Sequence, residues 1–442
     1  MSATPASTPV HASAAGWRWA PAWVLAFVAL WPAPGYAEGV LALGALAGLV
    51  KLVASRFRGG DAMLSGPAWA LTSVLFFAYW LPQALSATDA LDRGRALQEA
   101  LIDLRYLPFL WVVASAVAND EGRRRTFNGL AIIVGIWTLD ALAEAVIGTS
   151  PLFWLIDQGK QAISGRGMCT AEEVAAADRL SGVLGPCNLK LGIVLASLSP
   201  FALDAASRSF GRVGWLLAAV AVGIAIMLAG SRASWLTYGL VLLWTGWRLL
   251  GWKRLAGIFL LGALTLGVAA LLSPTLGERL QRSAVVLNGT EQGVDHALSG
   301  RTRIWSAALC MAREHPVNGV GARGFREAFP ACDPEPGQIA AWGTGVAFHA
   351  HQIVLEVLSE TGGLGLLLWL AGLALAWRAW RYADTHAREN ARPAMLALAV
   401  SLFPLNTHLA AYSTFWGGVL LLLAALYAGS LLGFRKDAAS TQ

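Results

Sequence analysis

Charge is scarce in this chain. Only 14% of its 442 residues are Asp, Glu, Lys or Arg, where a soluble domain has roughly a quarter. That shortfall excludes an ordinary soluble fold. Cysteine is sparse as well, with four residues at spacings that do not read as zinc sites. Acids separated by a single residue occur once, at Asp333 and Glu335, and their neighbours are Pro and Gly. With no second acidic cluster nearby, a catalytic divalent ion is not expected, and neither is any other cofactor. No internal repeat appears, so the inverted-repeat plan common in transporters finds no support. The net charge of +6 is modest, and nothing in its distribution suggests nucleic acid.

What fills the chain instead is apolar sequence, 56% of it, with a mean hydropathy of +0.55. Repeated apolar runs near twenty residues predict membrane helices. We place twelve, at 19–34, 37–54, 67–86, 101–118, 127–147, 183–203, 213–230, 232–250, 255–273, 353–377, 394–410 and 414–433. The expected fold is therefore an all-α polytopic membrane protein with a large helical loop between helices nine and ten. Most of the twenty Trp are expected at headgroup level.

A cytoplasmic N-terminus makes every inside loop basic: KLVASRFRGG, NDEGRRR, ASRSFGR, WRLLGWKR, WRAWRYADTHARENAR and FRKD. On that assignment 18 Lys/Arg lie inside and 15 outside, together the 33 of the chain, but the outside ones are spread over far longer loops. The expected layout is a disordered cytoplasmic segment 1–16, membrane helices over 17–273, an extracytoplasmic loop 274–352, further helices over 353–433 and a cytoplasmic tail 434–442. A cleavable signal peptide, with an apolar run at 21–31 and a small-residue site near Ala37, is the alternative for the N-terminus. It is disfavoured because another helix follows at once and Arg18 already anchors an inside end.

The stretch from Ser273 to Ile353 is too polar to cross a membrane, and the chemistry is expected beneath it. Ser299 is a candidate cap for a loop helix running to about Glu314, which His315-Pro316 would stop. Arg301 and Trp305 fall on one face of that helix, four apart. The run Gly319-Val320-Gly321-Ala322-Arg323-Gly324 fits G-x-G-x-x-G, but no strand precedes it, so a dinucleotide site is rejected. A turn allowing close backbone approach is the plain reading; a phosphate or sugar contact through backbone N–H groups is the other. His351 sits at the expected start of a helix, where the dipole disfavours imidazolium and leaves a neutral base. His349, two residues earlier, should point elsewhere.

Basic residues on the exit side need a reason. Arginine binds phosphate oxygens through a planar fork, so Arg232, Arg301 and Arg303 suit an anionic ligand. Pairing with Asp140 or Glu144 inside the bundle is the structural alternative for Arg232. Lys190 is a weaker case. Cys169, Cys187, Cys310 and Cys332 all fall in or beside outside segments, where disulfides are permitted. Of the three possible pairings we favour Cys310–Cys332 with Cys169–Cys187; free thiols are the alternative.

Gly230-Ser231-Arg232 at a helix junction, Gly300-Arg301 with Trp305, NGVGARGF, and His351 followed by Leu355 and Gly362 resemble the O-antigen ligase/polymerase superfamily of bacterial inner-membrane proteins. Arg179-Leu180-Ser181-Gly182 followed by Pro186-Cys187-Asn188 resembles its segment before the sixth helix, and FPLNTHLAAYSTFWGG is similar to the ligase branch. Gln352 departs from the family, which more often has Asn there. The resemblance implies an inner-membrane, multi-pass glycosyltransferase with both termini cytoplasmic and a periplasmic site. Its donor would be O-antigen on undecaprenyl diphosphate, and its acceptor the lipid A–core oligosaccharide, both met in the membrane lipid. It also implies metal-independent inversion. His351 would be the general base, and Arg232 and Arg301 would hold the diphosphate, with Arg303, Lys190 and Arg179 as lesser candidates and His349 and Trp305 as secondary ones. An O-antigen polymerase, a protein O-oligosaccharyltransferase and, from another class, a transporter are the alternatives.

Overall fold

The computed structural model describes residues 17–434 apart from 59–61, 178, 273–276, 278–299, 341, 343–344 and 406–409. The predicted segment 1–16, the predicted tail 434–442 beyond Phe434, and the Ser299 cap lie outside the described residues. Within them the chain is all-helical, with no strand. The helices are α1 (Ala20–Ala29), α2 (Pro34–Arg58), α3 (Gly66–Ser86), α4 (Arg93–Asp103), α5 (Tyr106–Ala116), α6 (Asp120–Ile147), α7 (Pro151–Ser164), α8 (Ala171–Ala176), α9 (Leu191–Leu228), α10 (Arg232–Leu250), α11 (Trp252–Leu272), α12 (Arg301–Glu314), α13 (Phe325–Cys332), α14 (Ile353–Tyr382), α15 (Thr385–Ser401) and α16 (Thr414–Leu432).

Local chemistry sets many of these boundaries. Ser65, Asn119, Ser150, Asp384 and Ser413 each accept a backbone N–H of the first turn of α3, α6, α7, α15 and α16. Gly148 ends α6 in the left-handed conformation, with φ 85°. Six described helices are long and apolar enough to cross a membrane, and large apolar side chains such as Leu43, Ile132, Leu217, Leu264 and Leu367 stand exposed on the outside of the bundle. In water that surface would be costly; against lipid it is the expected finish. The chain is a membrane protein.

Several elements differ from the sequence expectation. The helix expected at 19–34 ends at Ala29, in a turn that contains Pro32. The one expected at 101–118 divides: α5 starts at Tyr106, and residues before Asp103 belong to α4, inside a stretch read as loop. The helices expected at 183–203 and 213–230 are two arms of α9 that meet at a kink at Phe210 and Gly211, and the first arm starts only at Leu191. Two further helices, α7 and α8, lie between the spans expected at 127–147 and 183–203.

The core runs the length of the bundle. Helix α16 is its axis, almost wholly buried, with α3, α5 and α15 around it. Both described chain ends lie together at one end of it. Trp17 N–H donates to Ser115 Oγ (3.2 Å) and Phe434 N–H to Ala118 O (2.8 Å). The other end carries the polar loop.

That loop has its own small core, Ile304, Ala307, Met311, Phe325 and Phe329, closed by a disulfide between Cys310 and Cys332. A second disulfide joins Cys169 to Cys187. The glycine-rich turn docks the loop on α14: Val320 N–H donates to Ser359 O and Gly321 N–H to Glu360 O, both 2.9 Å, and Gly363 N–H to Pro316 O, 2.8 Å. The turn and helix meet backbone to backbone. Gly319 faces the Glu360 main chain and Gly362, at φ 68°, faces Val317 O; any Cβ at either would collide with it.

Candidate active site

Helix α14 begins at Ile353, capped by Gln352, whose Oε1 accepts Leu355 N–H at 2.5 Å while its Nε2 donates to Pro404 O at 3.2 Å. His351 therefore stands just ahead of the first turn, where the helix dipole is positive. Its φ is +52°. A left-handed non-glycine residue costs about 1–3 kcal/mol and persists only where its surroundings hold it. Three contacts surround it here. His351 N–H donates to His349 Nδ1 at 3.2 Å, the two imidazole centroids are 3.9 Å apart, and Trp305 Nε1–H donates to Ala350 O at 3.1 Å.

The Trp305 contact also orients α12. Arg301 lies one turn earlier on the same face, so the face carrying Arg301 is the one turned toward the 349–351 segment. Arg301 is the first residue of α12 and Arg232 the first of α10. Burial, and then the nearby Arg232 guanidinium, pull Arg301 down to about 10 from its usual 12.5. A buried guanidinium at the start of α12, with a second near enough to repel it, makes this a candidate place for an anion. Arg179 approaches the same junction through the main chain, since Leu180 N–H donates to Leu228 O at 3.4 Å. Lys190 immediately precedes α9, and Gly192, two residues on, packs against Ala229 and Ser234.

Arg303 does not join them. It lies on the opposite face of α12, with Nε and Nη2 each 2.7 Å from an Asp333 carboxylate oxygen. Nη1 is 3.5 Å from Glu335, and the guanidinium carbon lies 5.6 Å from the Trp342 centroid. The two acids weighed as metal ligands are thus its partners. Asp140 and Glu144, weighed as arginine partners, accept hydrogen bonds from the chain that follows α6. Asp140 accepts Leu152 N–H (2.9 Å) and Ser150 Oγ–H (2.7 Å). Glu144 accepts Gly182 N–H (2.6 Å).

Beside the histidines opens a cavity of about 500 Å³, a normal size for a small-molecule site. Its wall carries Arg95, Lys190, Arg323 and Arg326, the carboxylates Glu356 and Glu360, His349, and the rings of Phe348, Tyr412 and Phe415. Lys190 Nζ sits 4.8 Å from the Phe415 centroid. Glu356 is fully buried and its Oε2 lies 3.9 Å from His349 Nδ1. Arg323, the second non-glycine residue at positive φ (62°), is tied down from four sides. Its N–H donates to Glu360 Oε2 (2.8 Å), Nε to Tyr412 O (2.7 Å) and Nη2 to Thr414 Oγ1 (2.6 Å), and Nη1 pairs with Glu99 Oε1 (2.5 Å).

Sequence reasoning passed over Arg95, Arg323, Arg326, Glu356 and Glu360. For the two glutamates a signal existed: carboxylates four apart at the start of an apolar helix are expensive and mark functional or pairing positions. Arg323 was in view only as part of the glycine turn.

Residues 217–370 fit the family described as O-Antigen ligase. The matched stretch runs from α9 to α14 and holds Arg232, Arg301, Trp305, Arg323, His349, His351, Glu356 and Glu360; Arg179, Lys190 and Arg95 lie outside it. No curated protein matches the chain.

Proposed function

We propose that this chain, whose residues 217–370 match the O-Antigen ligase family, moves a glycan from undecaprenyl diphosphate to a hydroxyl of lipid A–core. The transfer would take place at the periplasmic face of a bacterial inner membrane spanned twelve times. The observation that supports this reading is Arg301, buried at the start of α12 on the face turned toward the 349–351 segment and near enough to Arg232, the first residue of α10, for the two charges to repel.

In this mechanism His351 takes the proton of the acceptor hydroxyl as that oxygen attacks the anomeric carbon. The bond from the anomeric carbon to the diphosphate oxygen breaks, its electron pair leaves with undecaprenyl diphosphate, and the configuration inverts. Arg232 and Arg301 neutralise the charge growing on the departing diphosphate, with Lys190 and Arg179 beside them. Arg303 is assigned to the loop's own stability. The prenyl chain would lie in the apolar groove between α3, α14, α15 and α16, lined by Leu75, Ala78, Gly372, Leu398 and Leu420. That groove reaches the cavity wall at Trp369, whose Nε1–H donates to Tyr412 Oη at 3.0 Å.

Reconstitution with purified lipid-linked O-antigen and lipid A–core tests the whole reading. His351→Ala is expected to lower turnover by roughly 10²–10⁴, the usual worth of a general base; near-normal transfer removes that assignment. Activity is expected to resist EDTA, and loss restored by Mg²⁺ or Mn²⁺ would return Asp333 and Glu335 to consideration. Transfer to a second lipid-linked glycan instead of core would mark a polymerase, transfer to protein an O-oligosaccharyltransferase, and counterflow of a free solute a transporter.

A further inference from the structure

Only two non-glycine residues among the described ones have positive φ, Arg323 and His351. Each has its own N–H held by a side-chain acceptor. For Arg323 the acceptor is Glu360 Oε2 at 2.8 Å; for His351 it is His349 Nδ1 at 3.2 Å. Resting on the assignment of His351 as base, we propose that His349 is its positioning residue: the Nδ1 lone pair of His349 fixes the left-handed turn that aims the His351 ring.

The geometry has a chemical corollary. An Nδ1 that accepts a hydrogen bond cannot carry the proton, so neutral His349 is the Nε2–H tautomer. Protonating His349 turns that acceptor into a donor, and the bond to His351 N–H is lost. The new Nδ1–H then faces Glu356 Oε2, which at 3.9 Å is too far for a hydrogen bond until the ring swings toward it. His349 is thus a latch on the turn, open when charged. The charged groups sharing its wall are Arg95, Lys190, Arg323, Arg326, Glu356 and Glu360, with the His351 ring tilted beside it. A displaced base costs rate more than binding, because reacting atoms about 1 Å out of place lose about 10²-fold.

The test uses side chains that copy one ring nitrogen at a time, in the full-length protein reconstituted in lipid. In His349→Asn the amide Oδ1 would occupy the place of Nδ1. In His349→Gln the amide Oε1 would occupy that of Nε2. His349→Leu is expected to lower kcat by about 10²-fold with KM within about twofold. His349→Asn is expected to restore kcat to within about threefold, and His349→Gln is not. The acid limb that His349 contributes to the kcat profile is expected to vanish in His349→Asn, since an amide does not titrate. Rescue by Gln as good as by Asn, full activity of His349→Leu, or an unchanged acid limb in His349→Asn overturns the proposal.

A readout independent of turnover separates this claim from the base assignment. Carbethoxylation of the His351 ring by diethylpyrocarbonate, read by mass spectrometry, is expected to change in rate in His349→Leu and to match the native rate in His349→Asn. If His351→Ala proves active, the base assignment falls while this comparison still decides the positioning role. If His349→Leu does not fold, the contrast of Asn with Gln decides it.

Discussion

The two faces of α12 carry the same functional group in opposite circumstances. Arg301 and Arg303 are two residues apart, which places them about 200° around the helix from each other. Arg303 meets a fork-to-fork carboxylate, two backbone carbonyls and an indole. Its charge is raised in proton affinity by the Asp333 hydrogen bond, and Asp333 is correspondingly held below its ordinary value by Arg303. Arg301 meets burial and another arginine, and its pKa falls. One guanidinium has its charge answered by a carboxylate of the loop. The other is buried, with a second arginine nearby. Residue type is therefore silent about role; the neighbours on each face decide it.

Exchanging each arginine should separate the two roles. Arg301→Gln is expected to lower turnover by about 10²–10³, the cost of removing one well-placed stabiliser of transition-state charge, with little change in Tm. Arg232→Lys is expected to fail as well, since it keeps charge and loses the fork; full activity of the lysine variant would favour plain electrostatics. Arg303→Gln should do the reverse. It leaves Asp333 without its bidentate partner, a loss of about 2–3 kcal/mol for hydrogen bonds to a charged group, read as a lower midpoint for the loop. Equal loss of activity and stability in both variants would erase the distinction between the faces.

Acid sharpens the same contrast. Asp333 has an ordinary value of 3.8 and is depressed in the fold. A depressed carboxylate contributes stability that is fully present above the unfolded-state value and is lost as the pH falls through the folded one. Below about pH 4 the loop of the native protein should weaken for this reason, and Arg303→Gln should flatten that part of the curve. A native-like acid slope in Arg303→Gln would assign the effect to another carboxylate.

How much of this could be read from the sequence depended on the length scale of the signal. Helices such as α3, α10 and α16 announce themselves, because about twenty consecutive apolar residues have few other uses. The glycines at 319 and 362 announce a close approach, though not that each lies against the other's stretch of chain. The short amphipathic helices α4 and α7 were invisible to a search for apolar runs, since their apolar positions are interleaved with charge. Arg301 and Arg303 sit in one tripeptide, RTR, and nothing in that tripeptide separates them; Asp333 is thirty residues away and reaches Arg303 only through the loop's own core and the Cys310–Cys332 closure. The glutamates of α14 were legible as an anomaly but not as a destination. What faces Glu356 and Glu360 comes from α4, the 319–324 turn and the chain before α16, and only folding brings those together.

The mildest test of the contrast lies on α12 itself, one turn past Arg301. Trp305→Phe keeps the ring that fills the space and deletes a single donor, the Nε1–H to Ala350 O. The carbonyl of Ala350 belongs to the short segment between the two histidines, and Ala350 itself is completely buried. A lone buried hydrogen bond is worth about 1 kcal/mol, so the loss in turnover should be no more than about fivefold to tenfold if the strain at His351 is released in proportion. Because Trp305 shares the face of Arg301, that loss should appear in kcat and leave the acid stability curve of the Arg303–Asp333 side untouched. If Trp305→Phe instead moves the acid curve and spares turnover, the two faces of α12 communicate, and the separation of a binding arginine from a structural one was drawn at the wrong place.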